Sequence, residues 1–501
     1  MFKIIILGCG SIGKCCLYYL KDFFNIDYKN VYVIDKYIST SKFPSVQEAI
    51  KDGAHFIKFK ITSKNIENLL TKIIKCNKND LVIDLTTRTP TFKVFVICRQ
   101  LNLHYINTSV EDEEQSIKIN KNKIYPYTED SYWQVHMNLL ELAAKTKECK
   151  TTSIIEFGMN PGLISIMIKQ GILDIAKYVI KNSTKENAEL KSALRKKDYN
   201  MIGKFLKIRV IHCSELDTQI AKKKNNKSFT CTWSCVGLID ETCEVTEIAV
   251  GTHEKTVPFD SKLISVLTPQ ILTIDMHGID VKARSCVPES IDENGNVKFT
   301  NIEGYCIHHS ENISCSRFLG TIDWAPTMHY VYKVNPETQK MINENCCKSL
   351  RNIINDHTKW KVLNVHDDHL EGYDNVGATF ILESDPLGKT TGPWSFWTGS
   401  ILHTDYTKNV LKDPYFGPTP LQVMCGILSA CQWMLKHPNK GITFPEEIDE
   451  KFILDKCKKY LGTFYSAPIP KEECNLNSFD LNSLIVSSNG KHNKHYTIKQ
   501  Y

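Results

Sequence analysis

The stretch Lys3-Ile4-Ile5-Ile6-Leu7-Gly8-Cys9-Gly10-Ser11-Ile12-Gly13 decides how the first part of this chain folds. Apolar β-formers run straight into a G-x-G-x-x-G loop, and a helical pattern of apolar residues follows over 12–24. Three glycines between a strand and a helix have a specific physical use. Gly8 permits the tight turn, Gly10 lets the backbone approach a pyrophosphate, and Gly13 allows the helix to pack close to the strand. The amides of Ser11 and Ile12 would then face phosphate oxygens at a helix N-terminus.

Outward from this loop, short apolar runs alternate with helical patterns, the signature of βαβ units and a doubly wound parallel sheet of the α/β class. The spacing predicts strands at 3–7, 31–34, 56–59, 81–83 and 104–106, with helices at 12–24, 46–51, 64–74 and 91–101. Asp35 ends the second strand, 22 residues past Gly13 (35 − 13). An acid there accepts hydrogen bonds from a ribose hydroxyl and repels a 2′-phosphate, which favours NAD over NADP. Ligands of such sheets bind beyond the carboxyl ends of the strands. That singles out Asp84 and Thr86 after the fourth strand and Thr108 after the fifth, each equally readable as a loop residue or helix cap.

An amphipathic helix is predicted over 131–147. A strand at 153–156 then ends at Phe157-Gly158-Met159-Asn160-Pro161-Gly162, which opens a helix over 163–180. Beyond Met201 the texture changes to longer β-type runs at 205–213, 229–233, 247–250 and 305–309, a mixed sheet in a second, α+β domain. Helical pattern returns over 421–435. The expected partition is a nucleotide-binding domain over 1–160 and a second domain over 161–415. C-terminal helices over 416–470 then pack back on the first domain, and a polar tail covers 471–501.

Composition narrows the class. At 501 residues the chain exceeds one ordinary core, and 42% hydrophobic with 24% charged residues is ordinary for a globular protein. No apolar run approaches the roughly 20 residues of a membrane span, and the short run before Gly8 makes a poor signal peptide. The 19 cysteines contain no C-x-x-C pair and read as thiols of a reducing cytoplasm. Cys231 and Cys235 have no second pair at ligand spacing, so no metal is expected. Net charge is +6 without a basic stripe interleaved with aromatics. The lysine run within 222–227 reads as a solvated loop, and no nucleic-acid partner is expected.

Further motifs follow one another in a shared order: Asn107-Thr108-Ser109-Val110-Glu111, Asn160-Pro161-Gly162, Glu215-Leu216-Asp217-Thr218-Gln219, Thr232-Trp233-Ser234, Asp240-Glu241, His309-Ser310-Glu311 and Trp397-Thr398-Gly399-Ser400. Together with the glycine loop they resemble the bacterial and viral type of homospermidine synthase, a relative of saccharopine dehydrogenases, as far as about Asp449. The resemblance implies a homodimeric, NAD-dependent transferase. Putrescine is oxidised to an imine, a second putrescine displaces ammonia, and the new Schiff base is reduced to homospermidine. Spermidine also serves as donor in that family.

This chemistry asks for carboxylates around a dication, a base to free an amine and an aromatic face for a cationic imine. The resemblance assigns catalytic roles to Trp233, Glu241, Glu215 and Asn160, and substrate binding to Glu111, His309 and Glu311. Each has a plainer reading. Asn160 before Pro161 is a good helix N-cap with proline at the first helical position. Ser214-Glu215-Leu216-Asp217 has the form of a capping box. Trp233, in a β-type run, is by default core. Glu241 follows Asp240 in what reads equally as a surface loop. His309 and Glu311, two apart on a strand, would share a face as a site or a salt bridge. Glu111 is followed by Asp112-Glu113 where the family has Pro-Trp. Trp394 and Trp397 read as interface packing.

Two other functions compete. A saccharopine- or carboxynorspermidine-type dehydrogenase would need arginines for its carboxylate substrates, yet 213–254 contains none and several acids. An inactive NAD-binding regulator would show acid substitutions that alter thermal stability alone.

Overall fold

The computed structural model describes residues 2–111, 131–184, 186–222, 228–258, 261–265, 268–487 and 496–497. The acidic residues 112–114 and the lysine-rich 223–227 lie outside them.

The strand β1 (Ile4–Leu7) is buried at all four positions, as a strand covered on both faces of a parallel sheet must be. It pairs in parallel with β2 (Val31–Asp35) and β4 (Leu81–Asp84). β3 (His55–Lys58) extends the sheet beyond β2, while β5 (His104–Asn107) and β6 (Ser153–Ile154) extend it beyond β4. The short strand Ile442–Thr443, from far downstream, closes the edge beside β6. The resulting order β3-β2-β1-β4-β5-β6 is the doubly wound arrangement of dinucleotide-binding sheets.

Helices α1 (Ser11–Phe23), Pro44–Lys51 and Thr91–Gln100 fall where the apolar spacing places them. The expected helix over 64–74 is present but shorter, α-helical at Ile66–Asn68 and continuing as a π-helix at Leu69–Ile73. Ile5, Leu7, Ile34, Leu69, Val82, Phe95 and Tyr105 share one core. This first unit comprises Met1–Asp130, Gln134–Leu163 and Thr419–Tyr460, the last including most of the helix Pro418–Lys436.

The second unit comprises Ser131–Trp133, Ile164–Pro418 and Leu461–Tyr501 and is built on an 11-stranded mixed sheet. At its centre β7 (Ile208–Asp217) runs parallel to the strand Thr327–Lys333 and antiparallel to the strand Tyr373–Leu382.

Four expectations are corrected here. β7 extends to Asp217, so Ser214-Glu215-Leu216-Asp217 is strand, its backbone bonded to neighbours on both sides rather than capping a helix. His309 is not on a strand: the strand Val297–Tyr305 stops earlier, and His309 precedes the helix Ser310–Leu319. Glu311 lies in the first turn of that helix, where the helix dipole favours an acid. Asn160 is not a cap with Pro161 as first helical residue, because the helix begins at Leu163. A tight loop intervenes, in which the Gly158 amide donates to the Pro161 carbonyl at 2.7 Å and Gly162 takes φ +119°. Residues 471–487 are not a loose polar tail. Cys474, Leu476, Leu481, Leu484 and Ile485 are buried, and the strand Ile485–Ser487 pairs with Val281–Ile291. Apolar residues scattered through a polar segment are enough to hold it once each finds a core.

Trp397, read as interface packing, is fully buried in the second unit's own core with Ile401, Ile469 and Leu476. No helix of the described residues is long and apolar enough to cross a membrane.

Candidate active site

In the first unit, the ends of β1, β2, β4, β5 and β6 all lie on one edge of the sheet because the strands are parallel. Gly8 has φ +86°, and a Cβ there would stand 2.6 Å from the Leu85 carbonyl oxygen. A Cβ on Gly13 would collide with the Gly8 carbonyl, which is the close helix–strand packing expected of that position. Gly10 is different: nothing lies within 4 Å of where its Cβ would be. The loop is therefore closed against the protein on one side and open at Gly10. α1 has no acidic residue in its first turn and no side-chain cap, leaving its first amides available to an anion. This cradle fits a dinucleotide pyrophosphate.

Asp35 accepts from the Cys9 amide at 2.7 Å through Oδ2, and from the Tyr37 amide at 2.7 Å and the Thr40 hydroxyl at 3.4 Å through Oδ1. A carboxylate offers about four lone-pair positions, so Oδ2 keeps one for a ribose hydroxyl. The acid thus both braces the glycine loop and stays able to bind.

Asp84 is more deeply committed. Its Oδ1 accepts from the Thr86 amide and hydroxyl at 3.2 and 2.7 Å, and its Oδ2 from the Tyr105 hydroxyl at 3.0 Å. Burial pushes its carboxyl upward, against these three donors. Asp84 and Thr86 together hold the turn that abuts Gly8. The methyl group of Thr108 lies 3.4 Å from the Cβ position of Gly158, in the loop that carries half-buried Asn160. Asn107 ties the ends of β5 and β6 by accepting from the Glu156 amide at 2.8 Å. Glu111 accepts from the Arg88 amide and the Ser109 hydroxyl, both at 3.0 Å.

In the second unit, an acidic and aromatic site forms at the carboxyl end of β7. Side chains two apart on a strand share a face, so Glu215 and Asp217 project together. The neighbouring strands bring Tyr332 opposite Glu215 and Asp374 opposite Asp217. Glu215, Asp217 and Asp374 are each 4% exposed or less. Asp217 accepts from the Gln219 amide and side chain, Thr232 and Asn335. Burial outweighs these donors and raises its carboxyl to about 6. The Tyr330 hydroxyl donates to Glu215 at 2.5 Å. Burial first, and then Glu215, hold the Tyr330 and Tyr332 phenols well above their usual range, so both stay protonated.

The ring of Tyr330 lies flat on the His309 imidazole, centroids 4.2 Å apart and planes 10° from parallel. His309 sits between Glu311 at 3.0 Å and Glu241 at 3.6 Å. Burial alone would push the imidazole down, but the two carboxylates outweigh it and keep it protonated well above the ordinary histidine range. The second oxygen of Glu311 is buried without a hydrogen-bond partner. Trp233 is half-buried ahead of the helix Cys235–Thr242, whose last turn carries Glu241. Its ring packs over Gly237, where a Cβ would stand 2.7 Å away.

Of the residues singled out from sequence, the second unit brings Glu215, Trp233, Glu241, His309 and Glu311 into one neighbourhood. The first unit holds Glu111 and Asn160, at the edge that carries the glycine loop. Sequence reasoning missed Tyr330, Tyr332 and Asp374. The alternation of Tyr330 and Tyr332 in Thr327–Lys333 was the available signal, since i and i+2 share a strand face.

Residues 4–154 match the saccharopine dehydrogenase NADP binding domain, and residues 158–464 the saccharopine dehydrogenase C-terminal domain. A homospermidine synthase of Mesorhizobium japonicum is 26% identical over 476 residues, covering 92% of this chain and 88% of the relative. That of Blastochloris viridis is 24% identical over 472 residues, covering 92% and 89%. Among solved structures, the homospermidine synthase of Legionella pneumophila in complex with NAD superposes with a TM-score of 0.75 at 25% identity. The superposition covers 97% of this chain and 98% of that one. With both domains matched in sequence order and the fold shared over nearly the whole length, the chain is an enzyme-type member of the saccharopine dehydrogenase family.

Proposed function

We propose that this protein is an NAD-dependent homospermidine synthase. The observation that carries the reading is the second unit's site, where Glu215, Asp217, Asp374, Glu241 and Glu311 gather around Tyr330, Tyr332, Trp233 and His309. Among the described residues, the ion pairs of Glu241 and Glu311 are with His309. Buried carboxylates in excess of cations are costly unless a cationic ligand joins them. A diamine is such a ligand, whereas saccharopine-like acids would be repelled. The likeness to homospermidine synthases supports the same substrate class.

NAD, when bound, supplies a hydride acceptor that returns what it takes; Gly8, Gly10, Gly13, Ser11, Ile12 and Asp35 would hold it. Although the family's domain carries NADP in its description, Asp35 places a carboxylate where a 2′-phosphate would have to sit, and NAD is the cofactor of this reading. Glu215 and Glu241 take the proton from a substrate ammonium, since only a neutral amine can release hydride from its carbon. Trp233 offers a π-face to the resulting cationic imine. Glu311 and His309 anchor and orient the amines. A second putrescine adds to the imine carbon, ammonia leaves, and reduction of the new C=N bond gives homospermidine. Two putrescines thus become one homospermidine and one ammonia, with no net oxidation. The reading extends to a cytoplasmic homodimer, measurable by light scattering.

The test incubates purified protein with putrescine and sub-stoichiometric NAD, then identifies the amines by mass spectrometry. Homospermidine many times in excess of NAD, with little reduced cofactor absorbance, is the expected result. An aminoaldehyde with stoichiometric reduced cofactor would make the protein an amine dehydrogenase. Turnover of saccharopine-like acids alone would make it a dehydrogenase of the other branch.

A further inference from the structure

We infer that Tyr330 is a positioning residue of the polyamine site, fixing Glu215 through its hydroxyl and His309 through its ring. The inference rests on the homospermidine synthase reading. Its geometry is direct. Tyr330 is 1% exposed on the strand Thr327–Lys333, beside β7. Its hydroxyl donates to Glu215 at 2.5 Å, and its face covers His309 at 4.2 Å. One rigid side chain therefore ties two acid-bearing segments separated by almost a hundred residues: β7, and the start of the helix Ser310–Leu319.

The two contacts do different things. An imidazolium held between Glu241 and Glu311 gains a π-face, which fixes the ring plane and so the direction of both carboxylates. The hydroxyl acts on charge. Glu215 is nearly fully buried and shares its surroundings with Asp217 and Asp374 from the sheet and with Glu311 and Glu241 from the two helices. Like charges and burial both favour its neutral form. A donor at 2.5 Å favours the carboxylate, as the His309 imidazolium nearby also does; the Tyr332 phenol lies opposite Glu215 in the strand register. Tyr330 therefore keeps Glu215 ionised, able to accept a proton from the substrate ammonium.

Tyr330→Phe separates these effects because it keeps the ring and removes the donor. Under saturating putrescine and NAD, the acid limb of the kcat profile, which reports groups of the enzyme–substrate complex, should move up by about one pH unit. KM and the melting temperature should change little. Tyr330→Leu, which also frees His309, should in addition raise KM severalfold. Glu215→Gln should abolish the acid limb, and adding Tyr330→Phe to it should have no further effect on pH dependence. If Tyr330→Phe melts early, the Glu215→Gln profile alone decides, because an acid limb surviving in that variant assigns the titration elsewhere. A Tyr330→Phe profile superposable on wild type overturns the inference, as does a fall in kcat at every pH without a shift. Wild type that makes no homospermidine would overturn the functional reading instead, and is seen in the control.

Discussion

The two units hold their chemistry in opposite ways. The nucleotide cradle of the first is local: Gly8, Gly10, Gly13 and Asp35 lie within one βαβ unit, where close backbone contacts constrain Gly8 and Gly13 and the Asp35 carboxylate braces the Cys9 amide. The acidic site of the second is assembled from β7, two neighbouring strands and the ends of two helices, from Glu215 to Asp374. Its constraints are between side chains, chiefly Tyr330 with Glu215 and His309. A local site fails when its backbone is strained, whereas an assembled one fails when a single linking side chain is removed.

The largest effect should come from straining the local site. Gly8→Ala puts a Cβ 2.6 Å from the Leu85 carbonyl at φ +86°, costing about 2–5 kcal/mol from left-handed strain and overpacking together. Loss of NAD binding together with a lower melting temperature is expected, and an unchanged melting curve would show that the loop is not under this constraint.

A comparison of histidines comes next. His212 and His329 lie side by side in the sheet of the second unit, fully buried, with ring centroids 4.4 Å apart and planes tilted by 43°. Burial lowers both, His329 from the ordinary 6.5 to about 4. An imidazole that resists protonation in the folded state contributes stability present above pH 6.5 and lost as pH falls toward 4, roughly 3 kcal/mol for His329 by the unit conversion. His309 has the opposite sign: its contribution is complete below pH 6.5 and is lost as pH rises through its elevated folded value. Denaturant unfolding at a series of pH values should therefore show His329→Gln flattening the acid side, leaving the alkaline side as in wild type.

On the assembled site, Trp233→Ala should lose at least about thirtyfold in rate, the equivalent of about 2 kcal/mol of cation–π contact. Trp233→Phe should lose less. Equal losses in both, tracking the melting temperature, would make Trp233 a packing residue. The smallest effect returns to the cradle. Asp35→Ala should weaken NAD by roughly 1–3 kcal/mol and narrow its advantage over NADP. Titration calorimetry with both cofactors checks this, and equal wild-type affinity for the two would remove Asp35 as the discriminator.

The same contrast explains what was legible in the sequence. The parallel strands and the glycine loop were readable because their signals sit within a few residues of the structure they form. Glu215, Trp233, Glu241, His309 and Glu311 were found through motif order, but their arrangement was not. Glu215 read as part of a capping box beyond a run ending at 213, whereas β7 continues to Asp217 because it pairs on both sides. His309 gave support to a strand that ends at Tyr305. Tyr330 and Asp374 carried no motif, because what places them is sheet register with β7. Residues 471–487 read as a tail because their buried side chains are too sparse to show a period.

The central claim is a redox-neutral transfer in which the hydride taken from one amine carbon goes back to that carbon. It is tested most directly with putrescine carrying deuterium at both terminal carbons, turned over with catalytic NAD. The account predicts homospermidine retaining all eight deuteriums, with ammonia released one for one. A product lacking one deuterium at the new linkage, or deuterated reduced cofactor accumulating beside an aldehyde, would contradict it.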